Sequence, residues 1–195
     1  MNLVEVKRIS YYPPSKGYAV LLEEKGGDRS LPIIVGSAEA QAIALYLEGV
    51  NMPRPMTHDL LVNILDNMKG EINRVLIARI SNGTFFAEIE VTNAHVGEIV
   101  IDSRPSDAIA IALRTLTPIY VSDEVMDRAG IDNFSTESEV TEPITSEGLT
   151  KEESGESVLE NLNEALEKAI TEEEYEMAAR LRDQIKQLEK ESTSQ

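Results

Sequence analysis

The sequence predicts an α+β fold: a mixed, largely antiparallel sheet with packed helices, plus a C-terminal antiparallel α-helical hairpin. Three observations predict it. Short segments with period-two apolar alternation follow one another through turn residues, so hairpins dominate over sustained βαβ alternation. Three longer segments between them switch to the helical period of 3.6. A polar stretch at 134–155 is followed by a renewed helical period with an interruption in its middle.

Residues 3–9, 18–23 and 30–35 read as three strands, broken by Pro13-Pro14 and by a Gly26-Gly27-Asp28 turn. Pro32 stands early in the third strand, where proline is tolerated. A helix follows over 38–48, with Ser37 as N-cap and Gly49 as stop. Its face is Ala40, Ile43, Ala44 and Leu47. A second helix spans 58–69, capped by Thr57 and ended by Gly70, with Leu61, Ile64, Leu65 and Met68 on one side. Strands at 72–80 and 84–91 flank Ser81-Asn82-Gly83, and Asn-Gly there is a strong hairpin signal. A sixth strand covers 98–101. A third helix runs over 106–116, a short strand over 118–121, and a short helix starts near Ser122.

Residues 134–155 are rich in Ser, Thr, Glu, Pro and Gly, and bury too little apolar surface to offset the entropy of ordering. They read as a tether between a domain at 1–133 and a hairpin at 156–191. In the hairpin, Val158, Leu159, Leu162, Ala165, Leu166, Ala169 and Ile170 form one stripe. Thr171 and Glu174 have capping-box spacing. Tyr175, Ala178, Leu181, Ile185 and Leu188 form a second stripe. A pair this small leaves apolar surface open, so these five residues, with Arg182, are expected to contact a protein partner.

The net charge is −17 and unevenly placed: residues 1–133 carry −6 and residues 134–195 carry −11. Nucleic acid is gripped mainly by clustered Lys and Arg, so charge alone does not hold it here. Aromatic residues make up 5%, which offers no base-stacking platform. The absence of cysteine removes disulfides, thiolate zinc sites and thiol nucleophiles. No apolar run is long enough to span a membrane. The N-terminus alternates like a strand rather than a signal peptide, so a cytoplasmic location is expected. Phosphate loops, dinucleotide fingerprints and nucleophile elbows are absent. Apolar strands and small-residue helices without a second packed domain point to a dimer.

Two segments carry family resemblance. Tyr175-Glu176-Met177-Ala178-Ala179-Arg180-Leu181-Arg182-Asp183-Gln184-Ile185 resembles the UVR motif, a module through which UvrB and UvrC associate. Residues 1–132 resemble the bifunctional nuclease domain in four ordered blocks: 31–40, beginning Leu31-Pro32-Ile33; Pro53-Arg54-Pro55-Met56-Thr57-His58-Asp59-Leu60; Asp102-Ser103-Arg104-Pro105-Ser106-Asp107-Ala108; and 118–125, beginning Pro118-Ile119-Tyr120. Ser37 replaces the proline more often expected, and Ser103 the usual alanine. The resemblance implies DNase and RNase activity, with DNA or RNA as substrate.

The polar residues of these blocks gather at helix starts. As catalytic candidates we take Glu39, His58, Asp59, Asp102, Arg104 and Asp107. Phosphodiester hydrolysis needs an activated water and neutralisation of the phosphate. Histidine has an ordinary pKa suited to proton transfer near neutrality. Asp59, Asp102 and Asp107 are candidate ligands for Mg²⁺ or Mn²⁺ through carboxylate oxygens. Arg54 and Arg104 suit bidentate phosphate contacts, with Thr57 and Ser106 as further substrate contacts. The plain structural alternative is that Thr57 and Ser106 are N-caps, the acids answer helix dipoles, and Asp102 pairs with Arg104 to fix a turn. In that case the chain is a non-catalytic regulatory or ligand-binding adaptor. His95 reads as a surface histidine.

Overall fold

The structure is a computed structural model that describes residues 1–15 and 17–132. The tether, the hairpin and its contact residues Tyr175, Ala178, Leu181, Arg182, Ile185 and Leu188 lie outside the described residues.

The elements in chain order are β1 (Asn2–Tyr12), a 3₁₀ turn (Pro13–Ser15), β2 (Gly17–Glu24), β3 (Arg29–Val35), α1 (Ser37–Leu47), α2 (Thr57–Asn67), β4 (Gly70–Ser81), β5 (Thr84–Asn93), β6 (Gly97–Ser103), α3 (Pro105–Thr115), β7 (Ile119–Val121), α4 (Asp123–Ala129) and β8 (Ile131–Asp132). They form an eight-stranded sheet of order β6-β5-β4-β7-β1-β2-β3-β8. Every pairing is antiparallel except β4 with β7. The expected mixed, largely antiparallel sheet is thus observed. Two antiparallel halves, β1-β2-β3 with β8 added at the edge and β4-β5-β6, are stitched together by the three residues of β7. Asn82 and Gly83 both have positive φ, 50° and 76°, as a tight two-residue hairpin turn requires. Pro32 pairs with Leu21 on β2, while β8 reaches only Arg29 and Ser30. Pro32 therefore lies where β3 has one neighbouring strand, which avoids a missing ladder bond.

The core is built from both sheet halves and α3. Val20, Leu22, Leu31, Val75, Ile77, Ala87 and Ile109 are fully buried. Helix α1 packs on α3, with Ala40, Ala42 and Ala44 facing a helix that buries Ala108, Ala110 and Ala112. Small residues on both sides allow close approach. Leu47, expected on the buried face of α1, is 44% exposed. Helix α2 differs more: it touches α3 and β4, yet none of its residues is buried. Leu65 is its closest anchor, lying so near Gly70 that a Cβ there would meet Leu65 Cδ1 at 2.5 Å.

The helix starts are shifted by one or two residues from the sequence expectation. Gly36, Met56 and Arg104 occupy the N-cap positions, so Ser37 and Thr57 are first helical residues and Ser106 follows Pro105 inside α3. Proline at the first helical position fixes this register, because its locked φ suits the first turn and its missing N–H has no bond to lose. Ser122 does cap α4, accepting from Val125 N–H at 3.2 Å. No helix among the described residues is long and apolar enough to cross a membrane.

Candidate active site at three helix starts

The first turns of α1, α2 and α3 bring four of the sequence candidates together. Arg104 is the hub. Its Nε and Nη2 donate to Asp107 Oδ2 and Oδ1 at 2.7 and 3.1 Å, and its Nη1 donates to Glu39 Oε1 at 3.0 Å. His58 Nε2 lies 3.2 Å from the same Asp107 Oδ1. The Arg104–Asp107 fork spans N-cap to third helical residue, so it secures the start of α3. Glu39 curls back over the chain: a Cβ on Gly36 would stand 2.7 Å from its Oε2, so glycine gives this carboxylate its room.

Burial pushes the Asp107 carboxyl up, but the hydrogen bonds from Arg104 and His58 and their charges outweigh it, holding the group below its ordinary value. Asp107 is therefore ionised near neutrality and can only accept. The bond to His58 then requires a proton on Nε2, and when the ring carries only that proton Nδ1 is an acceptor. His58 is 13% exposed and Arg104 65%, so a half-open cation stands beside a shielded imidazole.

Asp59 belongs elsewhere. Its Oδ2 accepts the Met56 backbone N–H at 2.8 Å, and its Oδ1 takes Arg114 Nε at 2.5 Å. Burial raises this carboxyl and these two bonds more than offset it, so it too sits below its ordinary value. Arg114 is 7% exposed. It also donates to the carbonyls of Ala110 and Ala42 and lies over the Tyr46 ring at 5.6 Å. One guanidinium thus ties α1, α2 and α3 together. In the sequence Arg114 is marked only by being the cation that directly follows the apolar run Ala108 to Leu113.

Asp102, at the exposed end of β6, sits opposite Glu88 and enters no ion pair among the described residues. The Asp102–Arg104 pair expected at the turn gives way to Arg104–Asp107. Asp102, Arg104 and Asp107 line a groove of about 580 Å³, whereas Asp59 and Arg114 line a separate hollow of about 290 Å³. Thr57 and Arg54 are exposed, and Ser106 is buried. His95 is exposed in the β5–β6 turn, as expected.

Among the described residues, no group of three or more His, Asp or Glu is placed to hold a metal ion. Asp59 and Asp107 are each already held by a guanidinium. The trio Asp59, Asp102 and Asp107 therefore does not fit a carboxylate metal site.

A largely antiparallel sheet backed by helices, with an acid–arginine–histidine cluster at three helix starts, defines a class of domain whose polar site is assembled from distant segments. The chain belongs to the bifunctional nuclease domain family, whose model matches residues 20–134. The UvrB/uvrC motif matches residues 156–191. An uncharacterised protein of Mycobacterium tuberculosis is 40% identical over 131 residues, 67% of this chain and 77% of its own length. Bifunctional nuclease 1 of Arabidopsis thaliana is 29% identical over 178 residues, covering 86% of this chain and 55% of the relative. Bifunctional nuclease 2 of Oryza sativa subsp. japonica is 32% identical over 114 residues, 57% of this chain and 35% of the relative.

Proposed function

We propose that the protein is a nuclease that hydrolyses phosphodiester bonds of DNA or RNA, and that its UVR segment recruits a protein partner. The observation that carries the reading is the chain His58–Asp107–Arg104–Glu39. Asp107 holds the imidazole with its proton on Nε2, the orienting role a buried carboxylate plays beside a hydrolytic histidine. Nδ1 then takes a proton from water as the water oxygen attacks phosphorus. The exposed Arg104, with Arg54 from the connection before α2, offers positive charge to the phosphate oxygens as the leaving oxygen departs.

The test is cleavage of labelled single- and double-stranded DNA and RNA by the purified full chain, with Mg²⁺, with Mn²⁺ and with EDTA. His58→Ala should lower kcat/KM by roughly 10²–10⁴-fold, the usual worth of a general base. Asp107→Asn should lower it in the same direction. Equal cleavage by wild type and His58→Ala would refute the assignment.

A second reading is favoured by one observation: both acids around Arg104 are already satisfied by it. A self-neutralised cluster suits a regulatory or ligand-binding adaptor. Absence of cleavage under every condition, together with stoichiometric partner capture that is lost in Leu181→Glu, supports this reading over the nuclease.

A further inference from the structure

Among the described residues, helix α2 and strand β6 together leave an apolar face uncovered. On α2 and its C-cap Met68, the side chains of Leu60, Leu61, Ile64 and Met68 are between 47% and 66% exposed. Strand β6 is an edge strand whose sole neighbour among the described residues is β5. Its ladder runs from Gly97–Asn93 to Ser103–Ala87 without a bulge, and its centre, Ile99-Val100-Ile101, is exposed. Leu61, Ile64, Met68 and Ile101 line the same groove, so the helix face and the strand form one surface.

Natural edge strands are guarded by lysine, proline, bulges or brevity. The opposite edge of the sheet follows this rule: β8 is two residues long. Strand β6 has seven residues and contains neither lysine nor proline, and its two charges, Glu98 and Asp102, stand either side of the apolar centre. Taking roughly 180 Å² for a free aliphatic residue, the four α2 residues with Ile99 and Ile101 expose on the order of 500 Å², near the top of the range for the largest patch on a monomer. That is over half of the ~800 Å² each partner gives to a stable interface, and Val100 with the open strand edge extends it.

We propose that a second copy of the chain covers this face. Two β6 strands meeting across a two-fold axis normal to the sheet run antiparallel, so the edge is its own complement. The two sheets then become continuous, and the α2 faces of the two copies close over the apolar strip. This surface adjoins the candidate site, because Ile101 and Asp102 line the groove that Arg104 and Asp107 share. The second copy therefore forms a wall of that groove.

The experiment is sedimentation equilibrium on the full chain of 21.6 kDa. Wild type is expected at twice that mass. Val100→Lys and Met68→Glu, both at exposed positions, should weaken dimerisation by at least about 100-fold, since each places two like charges in one interface, while circular dichroism stays unchanged. Leu181→Glu should remain dimeric. Should Val100→Lys fail to fold, Met68→Glu carries the test, alongside amide exchange in β6 that slows as protein concentration rises. A monomeric wild type at about 100 µM overturns the proposal, and so does a dimer that survives Val100→Lys and Met68→Glu but is lost in Leu181→Glu.

Discussion

Stranding Arg114 without Asp59 is expected to destabilise the domain more than replacing Arg114 itself. The guanidinium is 7% exposed and its Nε has Asp59 as partner, while its two Nη atoms bond main-chain carbonyls. Breaking a buried pair from one side costs about 3–5 kcal/mol, because the remaining charge loses its compensation. The Asp59 side chain is 37% exposed, so water reaches part of the gap, and we take about 2–3 kcal/mol for Asp59→Ala. Arg114→Met keeps most of the volume and leaves Asp59 with solvent and the Met56 N–H. It forfeits the bonds to Ala110 and Ala42, but both carbonyls lie in helices and keep their main-chain partners, so we take the low end of the net range, about 0.5–0.75 kcal/mol each. The double variant should resemble Arg114→Met alone. Urea unfolding followed by near-ultraviolet circular dichroism checks this. With a slope near 1.5–2 kcal/mol/M, Asp59→Ala should move the midpoint down by roughly 1–2 M. The reasoning fails if Arg114→Met is the costlier change, or if Asp59→Ala lies within about 0.5 kcal/mol of wild type.

Acid should unfold the domain through the same carboxylates. Asp59 and Asp107 both lie below their ordinary value of 3.8 in the folded state. Their contribution is complete above that value and is lost as pH falls through the lower folded values. Thermal midpoints measured from pH 6 down to 2 should drop below about pH 4, and Asp107→Asn should flatten part of that limb. At the end of α3, Leu116 adopts φ 54° and is 85% exposed. Leu116→Gly removes left-handed strain at a C-terminal cap and should stabilise by about 0.5–1 kcal/mol, read as a higher melting temperature.

The strands and helices were legible because their periods are strong. Asn82-Gly83 fixed one hairpin in advance, whereas the packing of the Ala-rich faces of α1 and α3 on each other emerges only in the fold. Strand β8 was not legible, since two residues carry no period. The cap assignments missed because Ser37, Thr57 and Ser106 have the right chemistry, while Pro105 and the backbone decide the register. An apolar helical stripe also reads the same whether another element covers it or not, so the exposure of the α2 stripe was not legible. The site divides in a similar way. Residue type marked His58, Asp59, Arg104 and Asp107 as candidates. Residue type could not assign Asp59 to Arg114 and Asp107 to Arg104, because those pairings depend on how three helices cross.

That crossing links the polar site to the open apolar face through α2. The helix buries no residue of its own, so hydrophobic burial does little to hold it in place. Its position depends on the Leu65 contact over Gly70 and on the Asp59–Arg114 clamp, one residue from His58. The imidazole that reaches Asp107 is therefore carried by the least anchored helix described. A second copy seated on the α2 face would supply the missing burial and stiffen the helix start that presents His58. On this account the open apolar face and the polar site are two ends of one element, and covering the first steadies the second.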